Sequence, residues 1–281
     1  MEFIYSVFKT ILPFEFTQYN FMINALLAVL LITPVFALVG TQVVSSKMSF
    51  FSDALGHSAL TGIAIGVLLG MENYLLSMIG FALIFALLIS MILDRENSSS
   101  DTVIGVFSSV GLALGVVILS AKGGFSKYSA YLIGDILTVT ENEILMILAL
   151  LIAVIIIWIF LYNKLLLVTL NADMASGKNI KVNLIRKIFV IVVALIVTVS
   201  IKWIGIMIIN SLLVLPAAAS RNICKNAKSA HFTAVLIAVV SGVSGLIISY
   251  YAGASASAMI VLIAAVFYFA TFIYAQIING R

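Results

Sequence analysis

Asp53 and His57 are the two residues of this sequence whose types and spacing most clearly allow chemistry. They lie at the start of an apolar stretch, four positions apart, which places both side chains on one face of a helix. A carboxylate inside a membrane costs about 3 kcal/mol unless it is paired, and a divalent cation would pair with both groups. Imidazole and carboxylate suit zinc, manganese or iron(II). The other ligands would come from other helices, water or a second copy of the chain.

The spacing of this pair also allows a different interpretation. Asp53 would cap the start of a helix at the membrane interface, and His57 would be hydrogen-bonded in the core. The spacing alone does not decide between the cap and the metal site.

Three further polar residues stand in apolar surroundings. Asn210 and Ser211 would line a pathway or form a hydrogen bond between helices. Asp135 would lie in a re-entrant segment near the outer mouth, or cap the next helix. All three are candidates for lining a translocation pathway.

The rest of the chain indicates a membrane protein. Of its 281 residues 63% are hydrophobic and 9% are charged, which excludes a water-soluble fold. We predict an all-α polytopic membrane protein with eight or nine transmembrane helices, the two stretches beside Lys202 being short and nearly contiguous. Residues 1–19 would be an interfacial segment, and residues 20–281 a single transmembrane domain. The nine apolar stretches are 20–40, 54–70, 74–93, 102–121, 144–161, 188–201, 203–219, 232–251 and 257–277.

Charge sets the predicted orientation. Lys and Arg prefer cytoplasmic loops, and they concentrate in residues 162–187 and 220–231. With both segments in the cytosol, the C-terminus is cytosolic too. The net charge of +4 has no soluble face on which to form a nucleic-acid-binding patch. Cys224 is the only cysteine, which excludes an intramolecular disulfide and a cysteine-cluster metal site.

The sequence has no phosphate-binding loop of its own and no motif of a zinc protease or a serine hydrolase. Energy for pumping would therefore come from a separate subunit, which would dock on the cytosolic segment near 163–187. Alternatively, this Lys-rich segment only determines topology.

Four motifs, in this order, resemble the membrane permease subunits of the bacterial ABC importers for zinc, manganese and related metals. They are residues 48–58 (MSFFSDALGHS), 101–109 (DTVIGVFSS), 131–137 (YLIGDIL) and 214–221 (VLPAAASR).

The resemblance implies a homodimer around a central pathway, two ATPase subunits and an external metal-binding protein. It places Asp53 and His57 on the family's acidic residue and histidine. It also places the segment that couples to the ATPase on 170–179, with Asp173, Ala175 and Gly177 as coupling residues. There the family usually has Phe-Asp and later a glycine, whereas this chain has Leu170-Asn171 and Asn179.

We therefore predict a transport subunit rather than an enzyme. It would lie in the bacterial cytoplasmic membrane and carry manganese or zinc as cargo, with no permanently bound cofactor. Two alternatives are an integral-membrane metalloenzyme and a proton-coupled secondary metal transporter.

Overall fold

The computed structural model describes residues 5–6, 8–9, 15–93, 99–121 and 135–279. This part of the chain folds into nine α-helices and two short 3-10 turns, Glu15–Gln18 and Ile136–Thr138, and contains no strand. Eight of the helices are long and apolar enough to cross a membrane. The predicted all-α polytopic fold is confirmed. The helices are α1 (Asn20–Ser45), α2 (Phe51–Leu68), α3 (Tyr74–Leu93), α4 (Ser100–Ala121), α5 (Glu141–Leu170), α6 (Ala172–Gly177), α7 (Val182–Ile223), α8 (Ala227–Ala252) and α9 (Ala256–Asn279).

Two helices differ most from the apolar stretches that predict them. Helix α5 continues past the expected end at residue 161 to Leu170, because polar residues such as Lys164 do not break a helix, although they end an apolar run. The two stretches beside Lys202 form the single helix α7, broken at Gly205 with φ 74° and ψ 165°. Only glycine adopts such a backbone readily. The expected broken helix is confirmed, with the break three residues after Lys202.

The chain divides into two compact units. The first comprises Met1–Thr41, Asp135–Ile155 and Ser211–Arg281, and the second comprises Gln42–Gly134 and Ile156–Asn210. Residues 1–4, 7 and 10–14 of the predicted interfacial segment lie outside the described residues.

In the first unit, α8 is antiparallel to α1. The Tyr250 ring, near the end of α8, lies 6.2 Å from the Tyr19 ring, just before α1 begins. Farther back along α8, Gly242 packs so closely on α1 that a Cβ there would lie 2.5 Å from Val29 Cγ1. Helix α8 therefore begins on the side where α1 ends.

In the second unit, α2 packs between α3 and α4. A Cβ on Gly62 would lie 2.6 Å from Met78 Cα in α3, and a Cβ on Gly115 would lie 2.7 Å from the Thr61 amide nitrogen in α2. The missing side chains allow these backbones to approach closely, as expected at membrane helix interfaces. Helix α2, which carries Asp53 and His57, is thus fixed on two sides.

Candidate metal site

Asp53 and His57 face each other on the first turns of α2. His57 Nε2 lies 3.4 Å from Asp53 Oδ2. The side chains are 41% exposed for Asp53 and 34% exposed for His57, so both remain open to a small ion. The predicted juxtaposition on one helix face is present.

Asn210 completes the cluster from α7. Its Nδ2 donates a hydrogen bond of 2.7 Å to Asp53 Oδ1, although the two residues are 157 positions apart in the chain. The hydrogen bond between helices that the sequence suggested for Asn210 is therefore present, and its partner is the candidate metal ligand.

The Gly205 break determines how Asn210 reaches this position. Ile206 packs on Gly56, where a Cβ would lie 2.5 Å from Ile206 Cγ2, and Asn210 meets Asp53. These contacts pair in opposite chain order, so the segment after Gly205 runs antiparallel to the start of α2. A close approach at Gly56 is needed to bring the amide of Asn210 within hydrogen-bonding distance.

Two polar atoms of the cluster are buried without a partner in the described part of the chain: His57 Nδ1 and Asn210 Oδ1. An unsatisfied buried acceptor or donor costs about 1–3 kcal/mol. Asn210 Oδ1, on the side chain that meets the Asp53 carboxylate, is therefore an acceptor with unused capacity to bind a cation.

The separation of the first two ligand atoms fits a common metal ion. Two atoms that bind one tetrahedral ion at about 2.1 Å lie about 3.4 Å apart, and this equals the distance between Asp53 Oδ2 and His57 Nε2. Among the described residues no three His, Cys, Asp or Glu side chains come together. The chain therefore offers an incomplete ligand set, to which Asn210 adds an amide oxygen if its side chain turns over.

The cap interpretation of Asp53 is not supported. The N-cap of α2 is Phe50, and no side chain caps the helix. Asp53 instead lies within the first turn, where its oxygens meet His57 and Asn210. A negative charge there also interacts favourably with the helix dipole.

The other two predicted pathway residues, Asp135 and Ser211, do not belong to the unit that contains the cluster. Asp135 Oδ1 accepts a hydrogen bond of 3.0 Å from Leu137 N and so caps the Ile136–Thr138 turn, as in the capping alternative. Ser211 belongs to the first unit. Pathway roles for Asp135 and Ser211 stay predictions. Residues 131–134 of the motif that precedes Asp135 lie outside the described residues.

The predicted coupling segment contains the six-residue helix α6. Asp173 and Gly177 are exposed on it, whereas Ala175 is fully buried. The Asn171 side chain accepts a hydrogen bond of 2.9 Å from Met174 N and caps the helix. Asn179 has a φ of 57°.

These contacts explain two of the three departures from the family pattern, Asn171 and Asn179, and nothing in the structure explains Leu170. Asn is as good an N-cap as Asp, so Asn171 preserves the start of α6. After glycine, Asn is the residue that most readily adopts a left-handed backbone, so Asn179 preserves the turn that follows.

Eight apolar helices and a polar cluster within them define a multi-pass membrane protein of the permease class. The chain belongs to the ABC 3 transport family, which matches residues 18–275.

Two relatives and one solved structure illustrate the similarity. The chain is 30% identical to the high-affinity zinc uptake system membrane protein ZnuB of Haemophilus influenzae, over 88% of this chain and 95% of that protein. It is 26% identical to the manganese transport system membrane protein MntC of Listeria monocytogenes, over 92% of each. PsaBC from Streptococcus pneumoniae, solved in complex with Fab, superposes with a TM-score of 0.77 at 26% identity, covering 97% of this chain and 95% of that chain.

Proposed function

We propose that this chain is the membrane-spanning subunit of an ATP-driven importer of divalent transition metal ions, manganese or zinc. Asp53 and His57 hold the ion transiently on its way through the membrane. The observation that carries the proposal is the cluster of Asp53, His57 and Asn210, whose spacing suits a metal and whose ligand set is incomplete. Relatives named for zinc uptake and for manganese transport support this choice of cargo.

Incomplete coordination suits a transporter better than a storage site. An ion must bind well enough to enter and weakly enough to leave. The cluster offers one carboxylate, one imidazole and one amide oxygen, and the open faces of Asp53 and His57 leave room for water or for ligands from a second copy. A homodimer around a central pathway would bring two such sets together.

Asn210 would respond to the ion by changing which atom of its amide faces Asp53. Without an ion, its amide nitrogen donates to the Asp53 carboxylate. A cation on that carboxylate would repel the partly positive NH2 group and favour the amide oxygen, which is now without a partner. Turning the amide over would stabilise the ion without moving either helix.

Energy would come from ATPase subunits that contact the segment near 163–187. Helix α6 suits this role because Asp173 and Gly177 are exposed, whereas Ala175 anchors the helix. An extracellular metal-binding protein would deliver the ion to the opposite side, and membrane lipid surrounds the subunit. ATP binding and hydrolysis would switch which side the site faces.

The proposed orientation places the C-terminus in the cytosol of the bacterial cell. The basic residues that concentrate in 162–187 and 220–231 support this orientation, because Lys and Arg prefer cytoplasmic loops.

The two alternatives have less support. A metalloenzyme needs a third strong ligand and a general base near the metal, and the described residues supply no third His, Cys, Asp or Glu. A proton-coupled transporter would work without an ATPase, whereas membership of the ABC 3 transport family favours one. Purification separates these possibilities: the importer co-isolates with an ATPase subunit, and the others work alone.

The test of the site is metal uptake by cells that carry Asp53→Asn or His57→Ala. Each variant removes one of only two strong ligands, so uptake of manganese or zinc should fall at least tenfold. His231→Ala, which changes the other histidine of the chain, is the matched control and should keep most of the uptake. Wild-type uptake by both site variants, at equal amounts of assembled protein, would refute the site.

A further inference from the structure

A cavity of about 300 Å³ opens in the second unit beside the ends of α1, α3 and α5 and the start of α7. Neither Asp53 nor His57 lines it. Its volume is at the lower limit of typical small-ligand pockets. Its polar lining includes Ser46, Lys47, Ser90, Thr169 and Arg186.

Among the described residues, the two charged groups that line this cavity are both positive. Lys47 and Arg186 line it, and no described carboxylate does. Neither side chain forms an ion pair with any described acidic residue. Both side chains are exposed, so their charges are available to an anion that enters the cavity. The guanidinium of Arg186 is also suited to bidentate binding of phosphate.

Hydroxyl groups in the cavity can donate hydrogen bonds to a ligand. Gln42, only 1% exposed, donates from Nε2 to Thr169 Oγ1 at 2.6 Å, while Ser46 Oγ and the Leu165 carbonyl oxygen lie farther from the same nitrogen, at 3.5 Å. Because the Thr169 oxygen already accepts a hydrogen bond, its hydroxyl keeps its own hydrogen for a further acceptor. Ser90, 4% exposed, adds another hydroxyl. Donors and cations together match the oxygens of a phosphate.

The remaining wall is apolar. Leu165, Val168, Phe189 and Val190 are all buried and line the same cavity. A small, fully hydrated anion would leave this surface in contact with water. An amphiphile with a phosphate at one end would cover it.

We propose that this cavity binds a phosphate group, held by Lys47 and Arg186 and by the Thr169 hydroxyl that Gln42 orients. An anionic phospholipid of the cytoplasmic leaflet and free inorganic phosphate share this chemistry. The apolar wall and the basic side of the membrane favour the phospholipid, since basic pockets between helices on that side are suited to anionic headgroups.

The experiment measures ligands on the full-length protein, purified with its ATPase partner if the two assemble. Native mass spectrometry counts bound phosphatidylglycerol against phosphatidylethanolamine, with and without millimolar inorganic phosphate as competitor. The test variant is K47Q/R186Q. The matched control is K225Q/K228Q, which removes two exposed basic residues that do not line the cavity. T169V, which removes one hydroxyl at nearly constant volume, is a second and milder test variant.

We expect one phosphatidylglycerol per chain in the wild type and in the control. Binding should be about 30-fold weaker in K47Q/R186Q, since each basic residue near the membrane surface contributes a factor of about five. T169V should bind severalfold more weakly. Saturable binding of inorganic phosphate that only K47Q/R186Q loses, without phospholipid selectivity, would support the site with a soluble ligand. Equal loss in K47Q/R186Q and K225Q/K228Q, or no binding of either ligand by the wild type, would overturn the proposal.

Discussion

Asn210→Ala is the sharpest perturbation of the site because it removes the residue that links the second half of α7 to α2. The substitution deletes the hydrogen bond of 2.7 Å to Asp53 Oδ1 and the unpartnered Oδ1 at once. It leaves Asp53 and His57 themselves in place. Any change in metal binding then reports the contribution of the amide.

The size of the effect follows from the contacts. In the ion-bound arrangement the amide oxygen would face the ion, and loss of such a supporting contact at a metal site typically weakens metal binding about 10–100-fold. As a factor of ten corresponds to about 1.4 kcal/mol, this is about 1.4–2.8 kcal/mol. We expect Asn210→Ala to weaken manganese or zinc binding about 10–100-fold.

Asn210→Asp should act in the opposite direction. It would place a second carboxylate near Asp53, and two carboxylates this close repel each other unless a cation lies between them. The affinity for a divalent ion should therefore rise, but release should slow and transport turnover should fall. Tighter binding combined with slower uptake distinguishes a ligand position from a merely structural one.

The assay pairs calorimetric metal titration of the purified protein with uptake of the radiolabelled ion by cells. Asn222→Ala is the matched control, because Asn222 is also on α7 and also forms a hydrogen bond to another helix, from Nδ2 to Thr271 Oγ1 at 3.3 Å. It should leave the metal affinity within about twofold of wild type. Wild-type affinity in both Asn210→Ala and Asn210→Asp would refute the assignment of Asn210 to the site.

Two further predictions test the elements that hold the site and the coupling segment. Gly56→Ala should place a Cβ against Ile206, cost about 1–3 kcal/mol of stability by overpacking and reduce uptake. Adding Ile206→Ala to this variant should partly restore thermal stability and uptake. Gly80→Ala, the control, adds a Cβ that meets nothing within 4 Å and should change neither. Asn171→Ala should remove the cap of α6, worth about 1 kcal/mol, and lower metal-stimulated ATP hydrolysis by the assembled complex, whereas Asn171→Asp should keep it. Equal ATPase activity in these two Asn171 variants would contradict a coupling role for α6.

The prediction that Asp53 and His57 lie on one helix face rests on helical periodicity alone. Four residues apart on a helix is one turn, so their juxtaposition depends on no other part of the chain. The glycine contacts of α2 were predictable for a similar reason, since Gly62, Gly66 and Gly70 recur every fourth residue and form a stripe of small residues. The helices against which such stripes pack could not be predicted from the sequence.

The role of Asn210 was only partly predictable. A polar amide in an apolar helix must find a partner, which the sequence indicates, but its partner lies 157 positions away and is selected by the Gly205 break. Nothing in the apolar pattern marks that glycine as different from the other glycines of the chain.

The charge pattern of the sequence also does not predict the cavity that Lys47 and Arg186 line. In the sequence they count only as residues that orient the protein in the membrane. That they line one cavity follows from the packing of four helix ends, and no local pattern encodes it.

X-ray absorption spectroscopy of the assembled complex loaded with manganese or zinc tests the metal site most directly. We predict an ion bound by one imidazole nitrogen and by oxygen ligands at about 2.0–2.2 Å from each chain that contributes. The nitrogen contribution should be lost in His57→Ala and unchanged in His231→Ala. An ion with the same ligand spectrum in His57→Ala and Asp53→Asn as in the wild type would contradict the proposed function.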